Sequence, residues 1–118
     1  MRVSKRLIEE LKGYFGLLDW SILVRISPKD SDACGTAHVR TQYKTATITL
    51  YPKAIRMTRE TYPNENWMDT LLHEFSEVAM ASYEGTLPDE IVSDKRFVKY
   101  QDACADHFAR AMKELIPR

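Results

Sequence analysis

Apolar and polar positions along this chain follow two different periods, and each change of period marks an element boundary. Leu7, Ile8, Leu11, Phe15 and Leu18 recur at three- and four-residue intervals, one stripe of a helix that Ser4 can cap and that Gly13 and Gly16 weaken at its end. From Trp20 to Ile26 the alternation is that of a strand, and Pro28-Lys29-Asp30-Ser31-Asp32 follows as a turn-rich connection. Ala37 and Val39 then alternate with His38 and Arg40, and Ala46, Ile48 and Leu50 alternate with Thr45, Thr47 and Thr49. This predicts a hairpin over 36–50 whose turn lies near Thr41-Gln42-Tyr43-Lys44. One face of the sheet is polar and rich in threonine, so a single layer of helices should cover only the other face.

After the hairpin the helical period returns. Residues 53–57 suit one or two helical turns, and a loop around Tyr62-Pro63-Asn64 leads into a second helix at about 65–82. Gly85 and Pro88 mark a further loop, and Ser93 can cap a long last helix over about 94–116 that ends in Pro117. No repeat, linker or low-complexity stretch interrupts the chain. The expectation is a single α+β domain over residues 1–118, built in two layers. It would hold an N-terminal helix, a three-stranded, mostly antiparallel sheet, a motif-bearing helix and a long C-terminal helix.

Composition changes this picture mainly by exclusion. Hydrophobic residues make up 44% and charged residues 29% of 118, enough apolar material for one core and far from the signature of disorder. Seventeen basic residues balance seventeen acidic ones, so bulk charge offers nothing to a nucleic acid or an anionic membrane. No apolar run approaches the roughly 18 residues of a membrane span. The first residues turn acidic at Glu9 and Glu10 where a signal peptide would stay apolar, which suggests a cytoplasmic protein. Cys34 and Cys104 are too few and too far apart for a disulfide framework, and Cys104 falls on the apolar side of the last predicted helix, as a small core residue would. The glycines have no phosphate-binding spacing, and neither cysteine carries the local signature of a nucleophile.

The candidate chemistry lies on the helix predicted over 65–82. On its wheel Trp67, Met68, Leu71, Leu72, Phe75, Val78 and Ala79 fill one arc, while His73 and Glu77 fall opposite, with Asp69, Thr70 and Ser76 near them. An imidazole nitrogen and a carboxylate oxygen one turn apart can share one divalent ion at about 2.0–2.2 Å, supplying two of the three protein ligands of a catalytic zinc. Glu74 leaves the helix at another angle, where it could reach a metal-bound water rather than the metal. The same His–Glu spacing also occurs as a plain solvated pair worth about 0.2–0.5 kcal/mol to a helix.

Taken together, Asp19-Trp20-Ser21-Ile22-Leu23-Val24-Arg25, the hairpin with Ala37-His38-Val39 and Tyr43-Lys44-Thr45-Ala46-Thr47-Ile48-Thr49-Leu50, and Thr70-Leu71-Leu72-His73-Glu74 resemble the short zincin-like metallopeptidases, many of them encoded by phages and prophages. The resemblance covers most of the chain in order and spacing. It implies that His73 is the first metal ligand and Glu74 the base that activates water. Glu77 occupies the place of the second histidine of His-Glu-x-x-His, which is similar to a variant group of phage sequences reading His-Glu-x-x-Glu. A glutamate there lowers the Lewis acidity felt by bound water and suits harder ions such as manganese better than histidine does.

A third ligand would come from the last helix, where Asp102 and His107 border the apolar face from opposite sides and Asp106 lies deeper in the polar arc. The resemblance favours Asp102, because similar members carry a glutamate there. It also implies that His38 could border a groove in which peptide lies along an edge strand. Two functions follow as expectations. One is a peptidase dependent on zinc or another divalent metal, held by His73, Glu77 and Asp102 with Glu74 as base and a peptide or protein as substrate. The other is an inactive zincin-like protein that binds a phage or host protein partner, an economical outcome of exchanging one histidine for Glu77.

Overall fold

A computed structural model of the chain describes residues 2–63 and 66–84, and beyond them residues 91, 93–95, 99, 103–104, 109–110 and 113–114. The first helix, α1 (Lys5–Tyr14), begins as the sequence predicts, with the Leu7 N–H donating to Ser4 Oγ over 3.1 Å. Its end differs. Gly16 adopts a left-handed φ of 70°, the Leu17 N–H reaches back to Lys12 O at 2.8 Å and the Gly16 N–H to Gly13 O at 3.4 Å. These are the two bonds of a glycine-terminated helix end. The left-handed residue breaks the helical period, so Leu17 turns inward at 1% exposure while Leu18, expected on the buried stripe, is 69% exposed.

Three strands follow, β1 (Ser21–Ile26), β2 (Gly35–Arg40) and β3 (Thr45–Leu50), in the spatial order β1-β3-β2. The hairpin β2–β3 is antiparallel, with Ala37 opposite Ile48 and Val39 opposite Ala46. Its turn is a short 3-10 segment (Thr41–Tyr43) closed by Lys44 with φ 51°. β1 joins the other side of β3 in parallel, Val24 opposite Ile48. The sheet is therefore mixed, one antiparallel and one parallel pair. Alternation assigns each residue to a face but carries no information on strand direction.

The buried face of the sheet holds Ala46, Ile48 and Leu50, flanked by partly buried Ile22, Val24, Ala37 and Val39. The opposite face keeps Leu23, Arg25, Thr36, His38 and Arg40 exposed, which matches the two-layer expectation. Pro52 opens a helix, α2 (Pro52–Thr61), longer than the one or two turns expected, and Ala54 and Ile55 anchor it. The motif helix, α3 (Trp67–Glu84), starts two residues later than expected. Asn66 Oδ1 accepts from the Met68 and Asp69 N–H groups, and Asp69 Oδ2 accepts from the Asn66 N–H, a reciprocal cap.

Leu71, Leu72, Phe75 and Val78 of α3 are buried against β2 and β3, and the Phe75 ring packs on Phe15, the C-cap of α1, with centroids 5.7 Å apart. Ser76, expected on the polar side, is fully buried. It lies one turn beyond buried Leu72, and its Oγ–H donates to Leu72 O over 2.8 Å, so the helix itself satisfies the hydroxyl. Of the last predicted helix, the described residues from Lys95 onward are helical, and Ala109 joins the core at 6% exposure. Cys104 is exposed rather than a core residue. Five positions before Ala109 it points about 140° away on a helix, which carries it off the packed side. Among the described residues no helix is long and apolar enough to cross a membrane.

The inward turn at Gly16 yields a direct test. Leu17→Ala should cost about 2–4 kcal/mol in urea denaturation, whereas Leu18→Ala should change stability by less than about 0.5 kcal/mol. Equal losses at the two positions would contradict the placement of Leu17 in the core.

Candidate metal centre

The same helix that buries Leu71, Leu72, Phe75 and Val78 must expose His73 and Glu77, which lie one turn apart on its flank, each a little over a third exposed (36% and 37%). Glu74 falls between these two faces, directed at the start of β2. Gly35 makes room for it. A Cβ built on Gly35 would lie 2.7 Å from Thr70 Cγ2, 3.2 Å from Glu74 Cγ and 3.2 Å from the Thr49 carbonyl oxygen. Only the missing side chain lets α3 approach the strand this closely.

The outcome is a convergence of His73, Glu74 and Glu77, which can hold a metal ion: one ligand atom from each lies within 4.8 Å of the others. His73 Nε2 and Glu77 Oε1 stand 3.1 Å apart. Two donors at about 2.1 Å from a shared ion, seen at a tetrahedral angle, are separated by about 3.4 Å, so a small side-chain rotation suffices. Among the described residues, Glu74 Oε2 is buried with no hydrogen-bond partner. A buried acceptor left open in this way lacks a donor or a cation, and one nitrogen with two carboxylates is a donor set for a divalent ion.

Burial, then the charge of Glu77, pushes the Glu74 carboxyl from the ordinary glutamate value of 4.5 up to about 8, while His73 nearby acts the other way. The hydrogen bond from His73 holds Glu77 below the usual glutamate range, partly offset by its own burial. A proton on Glu74 facing the Glu77 carboxylate adds to the separation of the two, raising Glu74 and lowering Glu77. Without a cation, the cluster thus keeps a proton on Glu74 and a negative charge on Glu77.

A cleft of about 530 Å³ opens over the cluster, lined by Cys34, Gly35, Thr36 and Ala37, by Asp69, Thr70, His73, Glu74 and Glu77 of α3, and by Ala109 and Arg110 of the last helix. Lys113 pairs with Asp69 and ties that helix to the start of α3. Among the described residues β2 is an edge strand. The Tyr51 N–H bonds Cys34 O at 2.8 Å, so alternation along the ladder turns the backbone N–H and C=O groups of Gly35, Ala37 and Val39 away from β3 and toward the open edge.

Of the residues singled out from sequence, the structure brings His73, Glu74 and Glu77 together. His38 is exposed on the sheet face away from α3, in a shallow groove with Arg40 and Thr47, and does not border the cleft. Asp102, Asp106 and His107 lie outside the described residues. Gly35 and Arg110 went unnoticed in the sequence as site residues. A glycine at the first position of a strand is a usable hint of close backbone approach; nothing local marks Arg110, which only the packing of the last helix carries to the cleft.

Two tests follow. Gly35→Ala should destabilise the protein by about 1–3 kcal/mol in urea denaturation, and adding Thr70→Ala should recover part of that loss by removing the nearest clash. The second concerns pH. The folded protein holds the Glu74 proton up to about pH 8, while an unfolded glutamate releases it near 4.5. Its stability therefore falls as pH rises through that window. In chelator, Glu74→Gln should flatten the slope and melt at least about 5 °C above the parent at pH 8, with little difference at pH 4; a parallel pH profile in the two proteins would contradict the buried proton.

The chain matches no family model, no curated protein and no solved structure.

Proposed function

We propose that this protein is a metal-dependent peptidase of the short zincin-like kind, in which His73 and Glu77 hold a divalent ion, zinc or a harder relative, and Glu74 is the base. The observation that carries this reading is the convergence of His73, Glu74 and Glu77 within 4.8 Å on a cleft beside an open strand edge. The bound ion would supply Lewis acidity, polarising the peptide carbonyl and making water acidic enough to lose a proton near neutrality.

The chain's own groups do the rest. The outward N–H and C=O groups of Gly35, Ala37 and Val39 align an extended peptide along β2 as an added strand. Glu74 accepts a proton from the attacking water and delivers it to the amine nitrogen as the C–N bond breaks. Its burial raises proton affinity and the cation opposes that rise, which holds the carboxyl between the two extremes a general base must visit. His73 and Glu77 fix the ion on one helix face, where backbone hydrogen bonds keep the two donors in register.

One observation favours a second reading. The His73–Glu77 contact at 3.1 Å satisfies both groups without any ion, as it would in a protein that keeps the scaffold and uses the β2 edge to bind a protein partner.

Protein purified without chelator should contain close to one equivalent of zinc or manganese by elemental analysis and should cleave peptides. Glu74→Gln should lower kcat at least about 100-fold while retaining the metal, and His73→Ala should lose the metal. Metal-free protein that zinc fails to load, or cleavage unaffected by Glu74→Gln, would defeat the peptidase reading and leave the binding one.

A further inference from the structure

The sheet face turned away from α3 carries a charge that the chain as a whole does not. Seventeen acidic residues balance seventeen basic ones overall, yet the strands SILVRI, GTAHVR and TATITL contain Arg25, Arg40 and His38 and no aspartate or glutamate. All three of these side chains are exposed. Alternation sends them to the side opposite buried Ala46, Ile48 and Leu50. Just before β1 and β3, Asp19 and Lys44 pair with each other and leave that excess unchanged. The face therefore attracts anions by its own composition.

Register gathers part of that charge into one place. Arg40 stands opposite Thr45, and His38 opposite Thr47. Cβ atoms of such cross-strand partners are about 4.5–5.5 Å apart and residues two along a strand about 6.5 Å, so four polar side chains mark the corners of a small rectangle. With Ala46 they line a groove of about 260 Å³. A guanidinium, an imidazole N–H and two hydroxyls can all donate into it. A carboxylate has two oxygens in one plane, which the guanidinium fork alone can occupy. A phosphate monoester has three terminal oxygens in a tetrahedral array and accepts from several sides at once, so donors spread over two strands fit it better.

We propose that this groove binds a phosphate group carried on a side chain of a partner protein, with Arg40 as the charged anchor and His38, Thr45 and Thr47 as further donors. Leu23 argues for a peptide over a free ion. It lies on the row of His38, across Thr47, and is 52% exposed, an apolar contact for a residue neighbouring the phosphate and of no use to an isolated anion. A nucleic acid is the weaker match, because its phosphates repeat along the backbone while the other guanidinium, Arg25, stands at the far corner of the face. The groove lies on the side of the sheet away from the metal cluster, and its assignment does not rest on the peptidase reading.

The full chain is titrated with a short peptide containing phosphoserine followed by leucine, with its serine and glutamate counterparts, with inorganic phosphate and with a single-stranded oligonucleotide, while backbone amide NMR shifts locate each contact. The phosphopeptide should shift the amides of residues 38–47 and bind about tenfold tighter than the other two peptides or inorganic phosphate. Arg40→Ala should remove that preference, Arg40→Lys should keep part of it, and His38→Ala and Thr47→Val should each lower affinity severalfold. Arg40 and His38 are exposed, so their variants should melt with the parent. Leu23→Ala should weaken the phosphopeptide and leave inorganic phosphate unaffected. His73→Ala should leave phosphopeptide binding intact, which separates the groove from the metal centre. Shifts confined to residues 73–77, equal affinity for the phosphoserine and glutamate peptides, a preference that survives Arg40→Ala, or no binding of the phosphopeptide overturns the groove as a phosphate site. Inorganic phosphate that binds as tightly as the phosphopeptide, or an oligonucleotide that binds more tightly, overturns the protein partner.

Discussion

The close approach of α3 to the first residue of β2 is the constraint on which the rest of the site depends. Helices usually stand off a sheet by the thickness of their side chains, and here Gly35 removes that thickness at one point, with Thr70 and Glu74 filling the space. On one side of this contact Leu71, Leu72, Phe75 and Val78 drive the helix onto Ala46, Ile48 and Leu50 by apolar burial. On the other side the helix flank carrying His73 and Glu77 is lifted clear of the sheet and faces the cleft. One helix thus serves as core and as site, and the glycine decides how near its chemistry lies to the strand edge.

Electrostatic tension in the cluster follows from the same packing. Placing Glu74 against Gly35 strips its carboxyl of water and leaves Oε2 without a partner among the described residues, three residues from a second carboxylate on the same helix. A fold seeking stability alone would fill that position with an apolar side chain, since an unsatisfied buried acceptor costs about 1–3 kcal/mol. Retaining two carboxylates and an imidazole at close range makes sense if a cation completes them, because the terms that penalise the empty cluster then change sign. The same terms link the chemistry of the cleft to its pH response.

The scaffold around the cluster is small, and its parts are shared. β2 lines the cleft and, as an edge strand among the described residues, turns backbone groups away from β3 beside it. The last helix contributes Ala109 to the core, Arg110 to the lining of the cleft and Lys113 to the pair with Asp69, so a single element both completes the packing and borders the cleft. The reciprocal cap between Asn66 and Asp69 fixes where α3 begins, and with it the angular position of His73 and Glu77. Small displacements of any of these would move donors whose separation has to remain within a few tenths of an ångström to hold an ion.

Local pattern was enough to determine the elements of this protein, because period and capping are written in neighbouring residues: Ser4 starts α1, the alternation from Ala37 to Leu50 makes the hairpin, and the arc from Trp67 to Ala79 makes α3. It was also enough to place His73 and Glu77 on one face, a consequence of the helical repeat alone. Tertiary structure decided what alternation cannot encode. It set the parallel pairing of β1, and the exchange of Leu17 for Leu18 at a left-handed glycine. It turned Ser76 inward and Cys104 outward, and it separated His38 from the cleft. It alone revealed that Gly35 and Arg110 belong to the site, since contacts between residues distant in sequence depend on how elements pack, and packing is settled by the summed burial of the whole core rather than by any short stretch of chain.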